Sequence, residues 1–133
     1  MWIRQKQKVD RRAKGKQENQ NAGKIKWREN NQMAVEIQIR EDVLRAYLSG
    51  EIDHHSAAEI REKIDESVIQ AKPKELILDF ARVTFMDSSG IGLVMGRFRL
   101  MQEIGGRVIL QNLPSPLKKV MKLAGLDKLA EIQ

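Results

Sequence analysis

Two short clusters in this chain carry side chains that could do chemistry. The first is Asp87-Ser88-Ser89-Gly90, a carboxylate and two hydroxyls at the expected start of a helix, followed by Ile91 and Gly92. The second is Asp53-His54-His55, a carboxylate beside two imidazoles. A serine next to an acid admits three chemistries. It can cap a helix, it can act as a nucleophile if a base activates it, or it can accept a phosphate. The nucleophile reading fails on pattern: G-x-S-x-G is absent, and the only histidines are the adjacent pair. Capping is worth about 1 kcal/mol and accounts for Asp87 or a serine, though not for two glycines in the following turn, each of which costs about 1 kcal/mol against alanine. A phosphate is also well placed there, because a helix N-terminus presents free N–H groups and the positive end of the helix dipole. Phosphorylation would add about −1.5 to −2 charges beside Asp87. From the residues alone, a cap, a phosphate seat and a contact surface all stay open.

Asp53-His54-His55 resembles a fragment of a metal site. Neighbouring residues rarely point at one ion, and the chain has no other histidine and no cysteine. A polar loop ahead of a helix cap at Ser56 is the expectation, with no metal and no cofactor. Asp53 can still flank the serine cluster if both lie at the carboxyl ends of neighbouring parallel strands, the edge where open α/β sheets bind ligands and partners.

The elements that must position these clusters are legible from periodicity. Val35, Ile37 and Ile39 alternate with polar residues, the period of a half-buried strand, and Val43–Leu48 follows a Glu41-Asp42 turn as its hairpin partner. Ser49–Asp53 is expected to leave the sheet. Ser56 and Glu59 have capping-box spacing, with Ala57, Ile60, Ile64, Val68 and Ala71 as the apolar stripe behind them and Lys72-Pro73 as the stop. Leu76–Phe80 is nearly all apolar, as in a central strand, and continues through Val83–Met86. A second helix is expected from about Ser89 to Ile104, with Ile91, Val94, Met95, Phe98 and Met101 inward and Gly105-Gly106 as its end. Gly92 and Gly96 share one face, which suits either packing on the sheet or close contact with a partner. Arg107–Leu110 is a further strand. Ser115 and Pro116 open a third helix as N-cap and N1, with Leu117, Val120, Met121 and Ala124 inward; Leu126, Leu129 and Ile132 carry on the apolar pattern. The order β-β-α-β-α-β-α with right-handed crossovers predicts an α/β fold built on a mixed sheet of four to five strands flanked by helices. There is no G-x-G-x-x-G, no P-loop and no internal repeat.

Charge divides the 133 residues unevenly. Residues 1–32 carry +7 and residues 33–133 carry −1, so the basic balance belongs to the first segment. That segment is rich in Lys, Arg, Gln and Asn without apolar periodicity and is expected to be a disordered basic extension. A solvated tail is favoured over a nucleic-acid-binding arm. Trp27-Arg28-Glu29 can be encoded by a purine tract resembling a ribosome-binding site, which makes Met33 the expected translation start. Residues 33–133 are long enough to bury one core. The absence of cysteine excludes a disulfide scaffold, and no apolar run approaches a membrane span or a secretory signal. A cytoplasmic protein without membrane association follows as the expectation.

Gly50-Glu51-Ile52-Asp53-His54-His55, Phe85-Met86-Asp87-Ser88-Ser89-Gly90-Ile91-Gly92, Gly96-Arg97-Phe98 and Ile104-Gly105-Gly106 together resemble the STAS-domain anti-sigma factor antagonists over about residues 33–132. The His-His and Ser-Ser pairs look most like the sporulation branch; stress-response antagonists usually carry Thr at the position of Ser89. The resemblance implies a non-enzymatic anti-anti-sigma factor. Its unphosphorylated form would bind an anti-sigma factor that is also a serine kinase, releasing the sporulation sigma factor. Ser89 would be the phosphoacceptor, and a PP2C-type phosphatase would restore the binding form. Asp53, Asp87, Ser88, Gly90, Ile91 and Gly92 would form the partner-binding switch loop, with Gly90 allowing close approach. The alternative within the family is an antagonist from a stress-response pathway. The basic extension has no counterpart in such proteins, and they usually continue past the position of Gln133.

Overall fold

The computed structural model describes residues 3–5 and 34–133. The alternating run at 35–40 forms β2 (Val35–Arg40), with Val35 and Ile37 fully buried and Glu36 and Gln38 on the other face. A tight turn with Glu41 at φ 53° returns the chain into β3 (Val43–Ile52), antiparallel to β2 with Ile37 opposite Ala46. The strand does not leave the sheet at Ser49 as expected. It runs on to Ile52, because Leu48 and Ile52 keep the inward alternation across Gly50.

Helix α1 (His54–Ala71) crosses back to β4 (Glu75–Met86), which lies parallel to β3. The two apolar runs predicted around Ala81-Arg82 are one strand interrupted by two register shifts, between Tyr47 and Ser49 and between Gly50 and Glu51 on the β3 side. β4 carries an extra residue at each, and Asp79 settles the first by accepting the Ala81 N–H at 3.0 Å. Arg45 and Asn112 also donate to the buried Asp79 carboxylate.

Helix α2 (Ser88–Glu103) leads to β5 (Arg107–Gln111), parallel to β4. It ends in paired bonds, Gly105 N–H to Gln102 O and Gly106 N–H to Met101 O, with Gly105 at φ 81°, a conformation that favours glycine. Helix α3 (Ser115–Leu123) starts one residue earlier than predicted. Pro114 is the N-cap residue, its carbonyl accepting Lys118 N–H, so Ser115 sits inside the helix and makes no capping bond. A 3-10 turn (Leu126–Lys128) then places β6 (Glu131–Ile132) parallel to β5.

β1 (Ile3–Gln5) pairs antiparallel with β2, Ile3 opposite Ile39. Disorder is expected for the whole basic extension, and three of its residues lie in this strand. An open strand edge recruits a neighbour through main-chain groups, which needs no apolar periodicity. The remainder of that expectation, the proposed start at Met33 and the reading of the arm fall outside the described residues. The sheet order is β1-β2-β3-β4-β5-β6. Helices α1 and α2 pack side by side on it, α1 over β2 and β3, α2 over β4 and β5. Ile60, Ile64 and Val68 of α1 and Leu93, Val94 and Met101 of α2 enter one core with Leu44, Leu78, Phe80 and Leu110. Four residues expected inward, Ala71, Met95, Val120 and Ala124, are exposed.

Candidate functional site

The parallel pairing of β3 and β4 holds to their last residues, Ile52 opposite Met86. The next residue on each strand is an aspartate, and each aspartate caps a helix. Asp53 has extended backbone at φ −117°, Asp87 at φ −98°, and Asp87 N–H donates to Ile52 O at 3.2 Å. The predicted juxtaposition of Asp53 with the serine cluster is therefore realised through two helix starts on one sheet edge.

Asp53 Oδ1 accepts Ser56 N–H at 3.0 Å, and Asp53 N–H donates to Ser56 Oγ at 2.9 Å. The capping box predicted on Ser56 and Glu59 is thus shifted by three residues: Asp53 is the cap and Ser56 its reciprocal partner. The Ser56 backbone bond, aided by the Ser56 hydroxyl, holds the Asp53 carboxyl below the usual aspartate value. His54 and His55 are the first two residues of α1, exposed, with rings 5.9 Å apart and crossed at 64°. They are part of a helix start and not the loop expected ahead of Ser56.

Asp87 Oδ1 accepts Ser89 N–H at 2.8 Å, which selects Asp87 over the serines as the cap of α2. Ser88 and Ser89 occupy its first two positions, Ser88 exposed and Ser89 half-buried. The glycines differ in role. A Cβ on Gly90 would collide with the Met86 side chain, so the absent side chain at Gly90 makes room for the protein's own core. A Cβ on Gly92 or Gly96 would meet nothing within 4 Å. Packing on the sheet, one of the two readings of that pair, does not require them. Ile91 is half-buried against the core and Gly92 is exposed. Of the predicted switch residues, Asp53, Asp87, Ser88, Ser89 and Gly92 share the surface, whereas Gly90 faces inward.

Gly92 and Gly96 instead floor a groove of about 410 Å³ between α1 and α2, opposite Ala57 and Ala58. Ser89 and His54 line it from the two helix starts, and Arg61 and Arg97 line it further along. Sequence reasoning assigned no role to either arginine. Arg97 is 5% exposed and lies with Nε 2.8 Å from Asp65 Oδ1 across the helix pair. The pair is close but off the hydrogen-bonding line, so it is a charge contact, and Arg97 Nη1 has no hydrogen-bond partner. Burial pushes the Asp65 carboxyl up, against the pull of Arg97 and Arg61, and pushes the Arg97 guanidinium down, against the pull of Asp65. Spacing held the missed signal: Ser89, Gly92, Gly96 and Arg97 recur at helical intervals on one face. Phe85, two residues before Asp87, is 53% exposed.

Residues 34–133 match the STAS domain. The chain belongs to the STAS family. The anti-sigma F factor antagonist of Lysinibacillus sphaericus is 43% identical over 93 residues, 69% of this chain and 78% of that protein. The unphosphorylated form of the anti-sigma factor antagonist SpoIIAA superposes with a TM-score of 0.67 at 36% identity, covering 75% of this chain and 88% of that one. The phosphorylated form of SpoIIAA, a Bacillus cell fate determinant, superposes with a TM-score of 0.62 at 36% identity, over 75% and 91%. The mixed sheet and helix order of the STAS domain are those expected from the resemblance, with β6 as the fifth strand of residues 34–133. No helix among the described residues is long and apolar enough to cross a membrane.

Proposed function

We propose that this STAS domain is an anti-sigma factor antagonist whose binding surface is switched by phosphorylation of Ser89. The observation that carries this reading is the Asp87 cap. It fixes Ser89 at the second position of α2, on the edge where Asp53 also starts a helix, with Ser88 and Gly92 beside it. Relatives named as anti-sigma F factor antagonists, and a related structure solved in phosphorylated form, support the same assignment.

In this reading the unphosphorylated chain binds an anti-sigma factor that is also a serine kinase, and so frees the sporulation sigma factor. The kinase moves the γ-phosphoryl group of ATP onto Ser89 Oγ, the hydroxyl proton leaves and ADP is released. About −1.5 to −2 charges are then added to a helix start that already carries Asp87, and the complex dissociates. A PP2C-type phosphatase removes the phosphate. The chain itself binds and is modified, and catalyses nothing. It works in the cytoplasm without nucleic acid.

Incubation with the cognate anti-sigma kinase and ATP, followed by phosphosite mapping, tests the assignment. Phosphate is expected on Ser89. Ser89→Ala is expected to abolish uptake and keep anti-sigma binding, and Ser89→Asp to weaken binding. Phosphate on Ser88, or undiminished uptake by Ser89→Ala, overturns it.

A further inference from the structure

The groove between α1 and α2 holds more positive charge than its own acids balance. Arg61 and Arg97 both line it, Arg97 lies against Asp65, and among the described residues no acidic side chain lines the groove. Arg97 is almost wholly buried and its Nη1 hydrogens are without an acceptor. A buried guanidinium gains most from a doubly accepting oxyanion, which a carboxylate or phosphate supplies.

Ser89 lines the same groove, and between it and Arg97 the wall is Gly92, Leu93 and Gly96, two of which carry no side chain. Arg61 lines the groove from α1 and Arg97 from α2, where its Nε lies against Asp65. His54 lines it from the start of α1. The acids nearby, Asp53 and Asp87, cap the two helix starts at the sheet edge and do not line the groove.

We propose that the α1–α2 groove is a built-in receptor for the phosphate carried on Ser89, which turns onto the glycine floor and is held by Arg61 in the field of Arg97, with His54 beside it. This rests on Ser89 being the phosphoacceptor. Phosphorylation then does more than add charge at the contact surface. It fills the small-residue groove with a liganded phosphate and closes it to a partner side chain.

Phosphorus-31 NMR titration of the full chain, phosphorylated by its kinase, tests this beside a short phosphoserine peptide, with the Arg97 Nε–H resonance followed on phosphorylation. The second phosphate pKa of the wild type is expected roughly one unit below the ~6 of an exposed phosphoserine. Arg61→Ala, an exposed position, is expected to bring it back toward the peptide value, and phosphorylation of the wild type is expected to shift the Arg97 resonance. Phosphate mapped to Ser89 that titrates like the peptide, with Arg97 unmoved, overturns the groove and leaves the Ser89 assignment standing. No phosphate on Ser89 overturns both. An ordinary titration together with weaker anti-sigma binding by Arg61→Ala assigns the cations to an acidic partner side chain and overturns the phosphate receptor.

Discussion

At the residue scale, two glycines of one helix face opposite demands. Gly90→Ala would drive a methyl group into Met86, and overpacking of this kind costs about 1–3 kcal/mol. Gly92→Ala meets open space and removes a helix-weakening residue, a gain of up to ~1 kcal/mol. Thermal unfolding is expected to show the first variant less stable than wild type and the second more stable. Binding to the anti-sigma factor should weaken in Gly92→Ala despite the gain, if the open floor is where the partner approaches. A separation of this kind, stability up and binding down, distinguishes a contact glycine from a packing glycine.

Asp53 adds a pH dependence at the same scale. Its folded pKa lies below 3.8, the unfolded value, so the unfolded chain takes up this proton first as pH falls. The contribution is complete above about pH 4 and is lost as pH drops through the lower folded value. Asn is also a good N-cap, so Asp53→Asn should match wild type near neutrality. Urea midpoints measured from pH 7 to pH 3 are expected to fall less steeply for Asp53→Asn on the acid side. Equal slopes would show that the cap does not discriminate the ionised carboxylate.

At the element scale, α1 and α2 are joined by a buried charge contact beneath their groove. Removing Asp65 leaves the Arg97 guanidinium without its counter-ion. Asp65→Ala is expected to cost about 2–4 kcal/mol, below the full value for a buried pair because the Asp65 side chain is 30% exposed. Arg97→Met with Asp65→Leu should recover most of that loss, since an apolar pair needs no desolvation of charge. Denaturant midpoints of Asp65→Leu, Arg97→Met and the double form the cycle that measures the coupling. If the double is as unstable as Asp65→Ala, the pair contributes packing and not charge.

The whole molecule is a mixed sheet whose strand ends carry both helix starts, and whose β2 side is covered by three residues of the basic segment. A three-residue strand contributes little to a core that lies over β2 to β5. Removal of residues 1–32 is therefore expected to leave the unfolding midpoint within a few degrees of the full chain. In hydrogen exchange it should lower protection only at the β2 amides that face β1. A loss of protection reaching β4 would show that the added strand supports the central sheet.

What the sequence determined by itself was set by local patterns. Alternation located β2 and β3, an unbroken apolar run located β4, and glycine pairs and prolines located the ends of α1 and α2. The motif around Ser89 was enough to indicate the family. The tertiary structure decided what depends on contacts between distant residues. Ser56 and Ser115 lost their expected capping roles because Asp53 and Pro114 reached extended backbone first. β6 formed from two residues because β5 offered an open parallel edge, which no local pattern signals. Arg97 reads as a surface charge in a helical stripe, yet it is buried because Asp65 waits on a helix 32 residues away in the chain. The different meanings of Gly90 and Gly92 are likewise invisible in one dimension. A glycine has no side chain to show its purpose, and only its surroundings reveal whether the missing atoms make room for the protein itself or leave a surface open.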